Sequence, residues 1–386
     1  MHQVVKLGEV VEKATGSRNP TKTPNDSFIY VDVTALDNTE KAIVGARSML
    51  GADAPSRARK LIRSGDVLVS TVRPNLNAVA LVPAEFDGQV ASTGYCVLRA
   101  TDKVLPKYLF YFARSRQFVD GLSSLVAGAL YPSVTDSQVL EQSLPLPPVS
   151  EQRDIVDILS RAEGLVRLRR EAEKKAAELI PSLFLDMFGD PATNPKGWPV
   201  KSLGELCDRI TDGTHQPPKF QESGIPFIFI SNIVRGELSL DTVKYISDET
   251  YVELTRRCPI EIGDVLYSTV GSYGVPVKVD TQEKFSFQRH IAHIKPQREK
   301  LDSDFLVGML YTPALKAQAD SAARGIAQKT VNLGEIRKYQ VIAPPLKEQQ
   351  RFATRVVAAR SIQSQQATAT ATAKATFDAL LSKVFS

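Results

Sequence analysis

Along the C-terminal segment, positions that follow alternating steps of four and three are Phe352, Val356, Ala359, Gln363, Gln366, Thr370, Ala373, Phe377, Leu380 and Val384. That spacing predicts a long helix with a seam for a partner helix. Subtracting 197 from each number gives a second seam: Ile155, Leu159, Ala162, Val166, Arg169, Glu173, Ala176, Ile180, Leu183 and Met187. Both seams are apolar at their ends and polar in the middle. Matching ends alone would allow a parallel or an antiparallel pair, but each helix must leave one globule and carry the chain toward the other. Antiparallel pairing is therefore expected, with Leu159 near Leu380, Leu183 near Val356, and Arg169 and Glu173 near Thr370 and Gln366. Helices of roughly 35 residues would span about 50 Å. Pro181 removes the bond to the Ala177 carbonyl and predicts a kink or break, whereas its counterpart Asp378 does not. The run ATATATA, Ala367 to Ala373, keeps the seam spacing and is expected to be helical.

The remaining sequence has a different rhythm. Short strand-like runs, Ser27 to Val33, Val67 to Val72, Ile225 to Ile230 and His290 to Lys295, are broken by clusters of Gly, Pro, Asn and Asp. They predict a mixed α/β (α+β) globule before each long helix. The offset that relates the seams also relates the globules. Leu7-Gly8-Glu9 answers Leu203-Gly204-Glu205, GDVLVSTV from Gly65 answers GDVLYSTV from Gly263, and Pro147-Pro148-x-x-Glu151-Gln152 answers Pro344-Pro345-x-x-Glu348-Gln349. Further pairs include Gly128 with Gly325 and Val134 with Val331. One ordered series at one offset makes the chain a tandem repeat. The segments are 1–143 and 191–340 for the globules, and 144–190 and 341–386 for the helical regions. Ser150 is a candidate cap for the first helix, although Lys347 stands at the equivalent place in the second.

Composition narrows the class of protein. A chain of 386 residues exceeds what one hydrophobic core usually covers, and no window approaches ~18 consecutive apolar residues. The first residues lack the basic start and apolar run of a secretory signal, so a cytoplasmic, soluble protein is expected. The net charge of +5 permits nucleic-acid binding without arguing for it. Cys96, Cys207 and Cys258 contain no close pair and are expected to be buried free thiols. Nucleotide-phosphate and dinucleotide glycine loops are absent from the sequence. His290 and His293 lie three apart in an apparent strand and would face opposite sides, which argues against shared metal ligation. Asp186 and Asp190 fit helix termination, and Asn194-Pro195-Lys196-Gly197 fits a turn.

The two Pro-Pro-x-x-Glu-Gln entries, the exit Met187-Phe188-Gly189-Asp190-Pro191 and the start Asn194 to Trp198 occur in the order found in a known family. In these features the chain resembles the specificity subunit of type I restriction-modification systems. The resemblance covers essentially the full length. It implies two target-recognition domains joined by two long antiparallel helices in a pseudo-two-fold arrangement, reading the two halves of an asymmetric DNA target. It also implies a non-catalytic chain with double-stranded DNA, two modification (methyltransferase) subunits and ATP-dependent restriction subunits as partners. S-adenosylmethionine, ATP and Mg would belong to those partners and no cofactor to this chain. A stand-alone methyltransferase or nuclease and a purely structural coiled-coil scaffold are the alternatives. The missing cofactor motifs weigh against the first, and two large globules with basic, polar loops weigh against the second.

A DNA reader needs Lys or Arg for phosphates and Arg, Gln or Asn for base edges, displayed on loops. In the first domain, the candidates are Arg73, Asn75, Asn77, Thr93, Tyr95, Tyr131 and Ser133. In the second, they are Thr214, His215, Lys219, Ser272, Tyr273, Gln288, Arg289, His290, Gln328 and Lys329. Three loops fall at matching offsets in both halves.

Overall fold

The structure is a computed structural model describing residues 2–12, 15–126, 130–325 and 329–385. The chain divides into two compact units, Met1–Arg170 with Thr368–Ser386, and Glu171–Ala367. These units cut through the helical segments. Each long helix contributes one stretch to each unit, because its apolar ends bury against different globules.

In the first unit, β1 (Gln3–Lys6) pairs antiparallel with the strand that ends the globule, Ser143–Leu146. A mixed four-stranded sheet orders β2 (Ser27–Val31), β3 (Arg47–Leu50), β4 (Ala58–Leu61) and β7 (Val90–Ser92) as β3-β2-β7-β4. An antiparallel sheet orders β5 (Val67–Ser70), β6 (Val79–Leu81) and β8 (Tyr95–Leu98) as β8-β5-β6. Helix α1 (Pro106–Phe112) then packs on β5 and β6. The strand Ser143–Leu146 is β9, and it leads into α2 (Val149–Ala177) and α3 (Leu179–Phe188).

The second unit follows the same order. Strand β10 (Val200–Ser202) pairs with the last strand, Gln340–Ile342. An antiparallel sheet contains β11 (Cys207–Asp212), β13 (Val265–Ser268), β14 (Pro276–Lys278) and β16 (Ile291–Pro296) in the order β11-β16-β13-β14. Strand β12 (Ile225–Ile228) runs parallel to β15 (Ser286–Phe287), and α4 (Asp248–Thr255) lies between them in sequence. Helix α5 (Ser303–Leu310) takes the place of α1, β17 is Gln340–Ile342, and α6 (Leu346–Val384) ends the fold.

Within each unit the helices run antiparallel, as the chain connectivity predicts. In the first, Tyr111 donates to Glu163 Oε2 at 2.9 Å and packs against Phe377, while Tyr108, one turn earlier, packs against Phe385. In the second, Phe184 meets Phe352 edge-on at 5.6 Å, and Gln363 Nε2 donates to the Ala176 carbonyl at 2.9 Å. Leu159 and Leu380 share one apolar cluster, and Leu183 and Val356 share another. The seam spacing changes at the ends. Phe184, Phe188, Leu381 and Phe385 are buried, one position beyond the predicted Leu183, Met187, Leu380 and Val384, which are half-buried. Those ends pack into a globule as well as against a helix, so a step of four replaces the coiled-coil alternation. The break at Pro181 is real: α2 stops at Ala177, Glu178 is a turn, and α6 continues unbroken through ATATATA.

Ser150 is not a cap, since α2 already begins at Val149. The repeated Gln explains the motif instead. Gln152 is fully buried; its Oε1 accepts from the Leu105 N–H at 2.9 Å, and its Nε2 donates to the Lys103 and Pro147 carbonyls. Gln349 makes the same three bonds, to the Asp302 N–H and the Lys300 and Pro344 carbonyls. Each amide satisfies groups that a buried junction would leave unpaired, and so fastens the helix entry to its globule.

The GDVL turns carry a second shared device. Gly65 and Gly263 adopt φ of +87° and +90°, which glycine takes without a Cβ penalty. The following Asp66 and Asp264 are buried and accept from the Arg63 and Glu261 N–H groups. Their ionic partners differ. Arg99 grips Asp66 through two bonds of 2.8 and 2.7 Å, whereas Asp264 Oδ2 meets His293 Nε2 at 2.6 Å and Lys295 Nζ at 2.9 Å. Burial pushes Asp264 up, but the bonds from His293 and Lys295 outweigh it and hold the carboxyl below its usual 3.8. Burial also pushes His293 down, and its bonds to Asp264 and Cys258 reverse this and hold it above 6.5. A depressed carboxyl stabilises the fold above its unfolded value and loses that contribution as pH falls through the folded value. A raised imidazole stabilises below its unfolded value and loses it as pH rises through the folded value. The second unit should therefore be most resistant to urea between about pH 4 and 6.5. Emission of Trp198, the single tryptophan, would read this, and a midpoint still rising from pH 6.5 to 8.5 would contradict it.

Cys96 and Cys207 are buried as expected, but Cys258 is half-buried and bonded to His293. The expected termination chemistry at Asp190 is present: its Oδ1 accepts from the Ala192 N–H, and Lys196 Nζ reaches the Asp186 and Met187 carbonyls.

Candidate nucleic-acid interface

Beyond β5 the chain reaches Thr71, where three loops of the first unit meet. The Thr71 N–H donates to the Gly94 carbonyl, the Val134 N–H donates to the Thr71 carbonyl, and the Arg73 N–H donates to the Pro132 carbonyl, all at 2.8 to 2.9 Å. Beyond β13 the second unit repeats this at Thr269. There the Thr269 N–H donates to the His290 carbonyl, Val331 N–H to the Thr269 carbonyl, and Gly271 N–H to the Lys329 carbonyl. The same three bonds thus join, in each unit, the three loops picked out by offset. A fourth segment joins the second set, as the Arg289 N–H donates to the Thr214 carbonyl at 3.1 Å.

Arg73, Asn75, Thr93, Tyr131 and Ser133 are exposed around Thr71. Tyr131 is 80% exposed and follows Leu130 at 88%, a large apolar pair that the first core does not claim. Arg73 and Asn77 hold φ of +50° and +48° at the two ends of the turn Pro74–Leu76. Left-handed non-glycine residues cost about 1–3 kcal/mol each and persist where surrounding bonds enforce them. Here Asn77 is fastened from both sides: its Nδ2 donates to the Arg114 carbonyl, and its own carbonyl accepts from Lys41 Nζ. Asn77 therefore faces inward and shapes the loop instead of displaying an amide. Tyr95 is the clear correction. It is fully buried, and its hydroxyl donates to the Asp32 carbonyl at 2.6 Å, because strand alternation directs it into the core.

In the second unit His215, Lys219, Ser272, Arg289 and Lys329 are exposed, and Thr214, Gln288 and His290 are half-buried. Gln328 lies outside the described residues. His215 Nε2 lies 2.9 Å from Asp212 Oδ2, and Arg289 Nε lies 3.4 Å from His290 Nε2. Burial and the neighbouring Arg289 push His290 below its usual value, which favours a neutral ring able to accept a hydrogen bond. His290 and His293 share no environment, one lying at the loop rim and the other inside beside Asp264. Tyr273 is tied back, donating to Asp320 Oδ1 at 2.7 Å with Lys316 Nζ 4.0 Å from its ring.

Two exposed arginines at these loops were missed in the sequence. The Arg57 carbonyl accepts from the Thr93 N–H, and Arg324 exchanges both backbone bonds with Thr330, beside Lys329. Both follow loop signals, Ala54-Pro55-Ser56 and the helix end before Gly325, but neither has an arginine counterpart in the other half. Among the described residues, no group of three or more His, Cys, Asp or Glu could hold a metal ion, and no helix is long and apolar enough to cross a membrane.

Comparison with known proteins agrees with the division into two similar halves. The family model described as type I restriction modification DNA specificity domain matches residues 2–178 and 195–359, one match per half. The MjaIX specificity subunit of Methanocaldococcus jannaschii is 22% identical, covering 90% of this chain and 84% of its own. The EcoBI specificity subunit of Escherichia coli is also 22% identical, over 75% of this chain and 67% of its own. A solved structure described as the basis of complex assembly and conformational transition of the type I R-M system is 32% identical, with a TM-score of 0.68. It covers 99% of this chain and 97% of that one. The S subunit from M. genitalium, at 12% identity and a TM-score of 0.57, shares the fold. With both halves matched along nearly their whole length, the chain belongs to the family of type I restriction-modification DNA specificity subunits.

Proposed function

We propose that each unit reads one half of a split DNA target through the loops gathered at Thr71 and Thr269. The observation that carries this reading is the identical three-bond weave in two units whose exposed side chains differ. An identical scaffold gives the same placement on DNA, and different side chains give different half-sites, so the target is asymmetric. Arg57, Arg73, Arg289, Arg324 and Lys329 supply phosphate contacts, while Asn75, Gln288 and His290 supply groups for base edges. The two shared helices set the number of unread base pairs between the halves and offer docking surfaces for two modification subunits. Methyl transfer from S-adenosylmethionine, and ATP- and Mg-dependent cleavage by restriction subunits, belong to those partners; this chain supplies recognition.

Arg289→Ala with Lys329→Ala tests the placement in the complex with the modification subunits. Loss of two phosphate contacts should reduce the slope of log K against log salt by about 2 and weaken binding to all sequences alike. An unchanged slope and affinity would remove these loops from the interface.

A further inference from the structure

DNA reading leaves one hydrogen-bonded chain of the second unit unused. Cys258, just after α4, places Sγ 3.4 Å from His293 Nδ1, and His293 Nε2 lies 2.6 Å from Asp264 Oδ2. An ionised Asp264 can only accept, so Nε2 carries a ring proton, and in the neutral ring Nδ1 is left to accept from the thiol. This is the order of nucleophile, base and orienting acid. His293 and Asp264 are buried, and of the three only Cys258 reaches solvent. The fold does not demand this arrangement. In the first unit the equivalent acid, Asp66, is held by Arg99, and Lys60 and Val97 occupy the places of Cys258 and His293.

The charges around the thiol favour one class of reagent. Arg256 and Arg257 directly precede Cys258 and are exposed, and the Arg257 carbonyl accepts from Arg209 of β11. On the other side Glu261 and Asp264 are both engaged by Lys295, and Arg298 also meets Glu261. The nearby acids therefore have cation partners, while no acid pairs with either arginine beside the sulfur among the described residues.

We propose that Cys258 is a modification site that forms mixed disulfides with small, carboxylate-bearing disulfides, with His293 holding the thiol proton and Arg256 and Arg257 attracting the reagent. The thiol proton moves to Nδ1, Sγ attacks one sulfur of the reagent, and a new S–S bond forms as the reagent's S–S bond breaks. The departing thiolate takes the proton from Nδ1. Cys258 is oxidised, the reagent is reduced, and no other reactant is needed. The adduct replaces the Cys258 to His293 hydrogen bond, and a thiol reductant reverses it.

The test treats the folded full chain with oxidised glutathione and follows each cysteine by peptide mass. Cys96 and Cys207 serve as internal controls, because burial pushes both thiols up to about 12. Cys258 alone should gain the adduct, several-fold faster at about pH 7.5 than a free cysteine peptide, which reacts mainly near its own value of about 8.5. His293→Gln should remove that advantage and restore the free-thiol pH profile. Arg256→Gln with Arg257→Gln should slow oxidised glutathione several-fold while leaving neutral iodoacetamide unaffected. A Cys258 rate at or below that of the peptide overturns the proposal, as does equal labelling of all three cysteines. If His293→Gln loosens the fold and exposes the controls, the wild-type pH profile decides. A rate that climbs only with free-thiol titration rejects the role of His293.

Discussion

Phe188→Ala should lower the urea midpoint of the second unit by about 1.5–2.5 M, read from Trp198 emission. Phe188 is fully buried at the end of α3, with ring centroids 4.8 Å from Phe305, 5.1 Å from Phe184 and 5.6 Å from Phe352. It joins the helix exit, α5 and the start of α6. Truncating a buried Phe removes its transfer free energy and leaves a cavity, together about 3–5 kcal/mol. At a urea slope of about 2 kcal/mol/M this gives the stated shift. Trp198 is well placed to report it, with its ring 6.5 Å from Phe188 and its Nε1–H donating to the Phe188 carbonyl. The same change should weaken DNA binding by the assembled complex, since α5 packs on β14, which pairs with β13 and through it supports the loops beyond Thr269. A shift under about 0.5 M would mean that the cluster is not what holds this helix end.

Asp66→Ala should destabilise the first unit by about 3–5 kcal/mol and leave the Trp198 transition in place. The Asp66 and Arg99 side chains are 1% and 10% exposed, and the two bonds between them are well aligned. Removing the acid strands a buried guanidinium, and that uncompensated charge dominates the loss. Glu12, 3.6 Å from Arg99 Nη1, is half open to water and compensates weakly. Asp66→Ala with Arg99→Met should recover much of the loss, because an apolar pair leaves no charge unpaired. Far-UV circular dichroism during urea unfolding would separate an early first transition from the later one seen by Trp198. Coincident transitions, or a double variant as unstable as the single one, would contradict this account.

How much was legible in the sequence varied by kind of feature. The tandem repeat, the strands near Ser27, Val67, Ile225 and Ile291, the antiparallel helices and the break at Pro181 were all readable, because each depends on local spacing, on residue type or on the connectivity of the chain. The loops were readable as sets. Individual members were not: Tyr95 and Asn75 have similar loop surroundings in the sequence, and only packing turned Tyr95 inward to Asp32. Cys258 was read as an ordinary buried thiol, since its partner His293 lies 35 residues away, on a strand that only the folded chain brings beside it. The exposed Arg57 and Arg324 escaped because repeat matching favours paired positions.

The sequence by itself determined the two-fold repetition, the family and the helix seams, since periodicity and ordered motifs are properties of the chain alone. It also marked Gln152, Gln349, Asp66 and Asp264 as repeated positions without saying what they bind. The tertiary structure decided their partners: the loop groups at Leu105 and Asp302 for the glutamines, Arg99 for one acid, and His293 with Lys295 for the other. It also decided that each helix belongs partly to both units. Partners distant in sequence are chosen by burial, where an unpaired polar group is costly, and that cost arises only once the chain is packed.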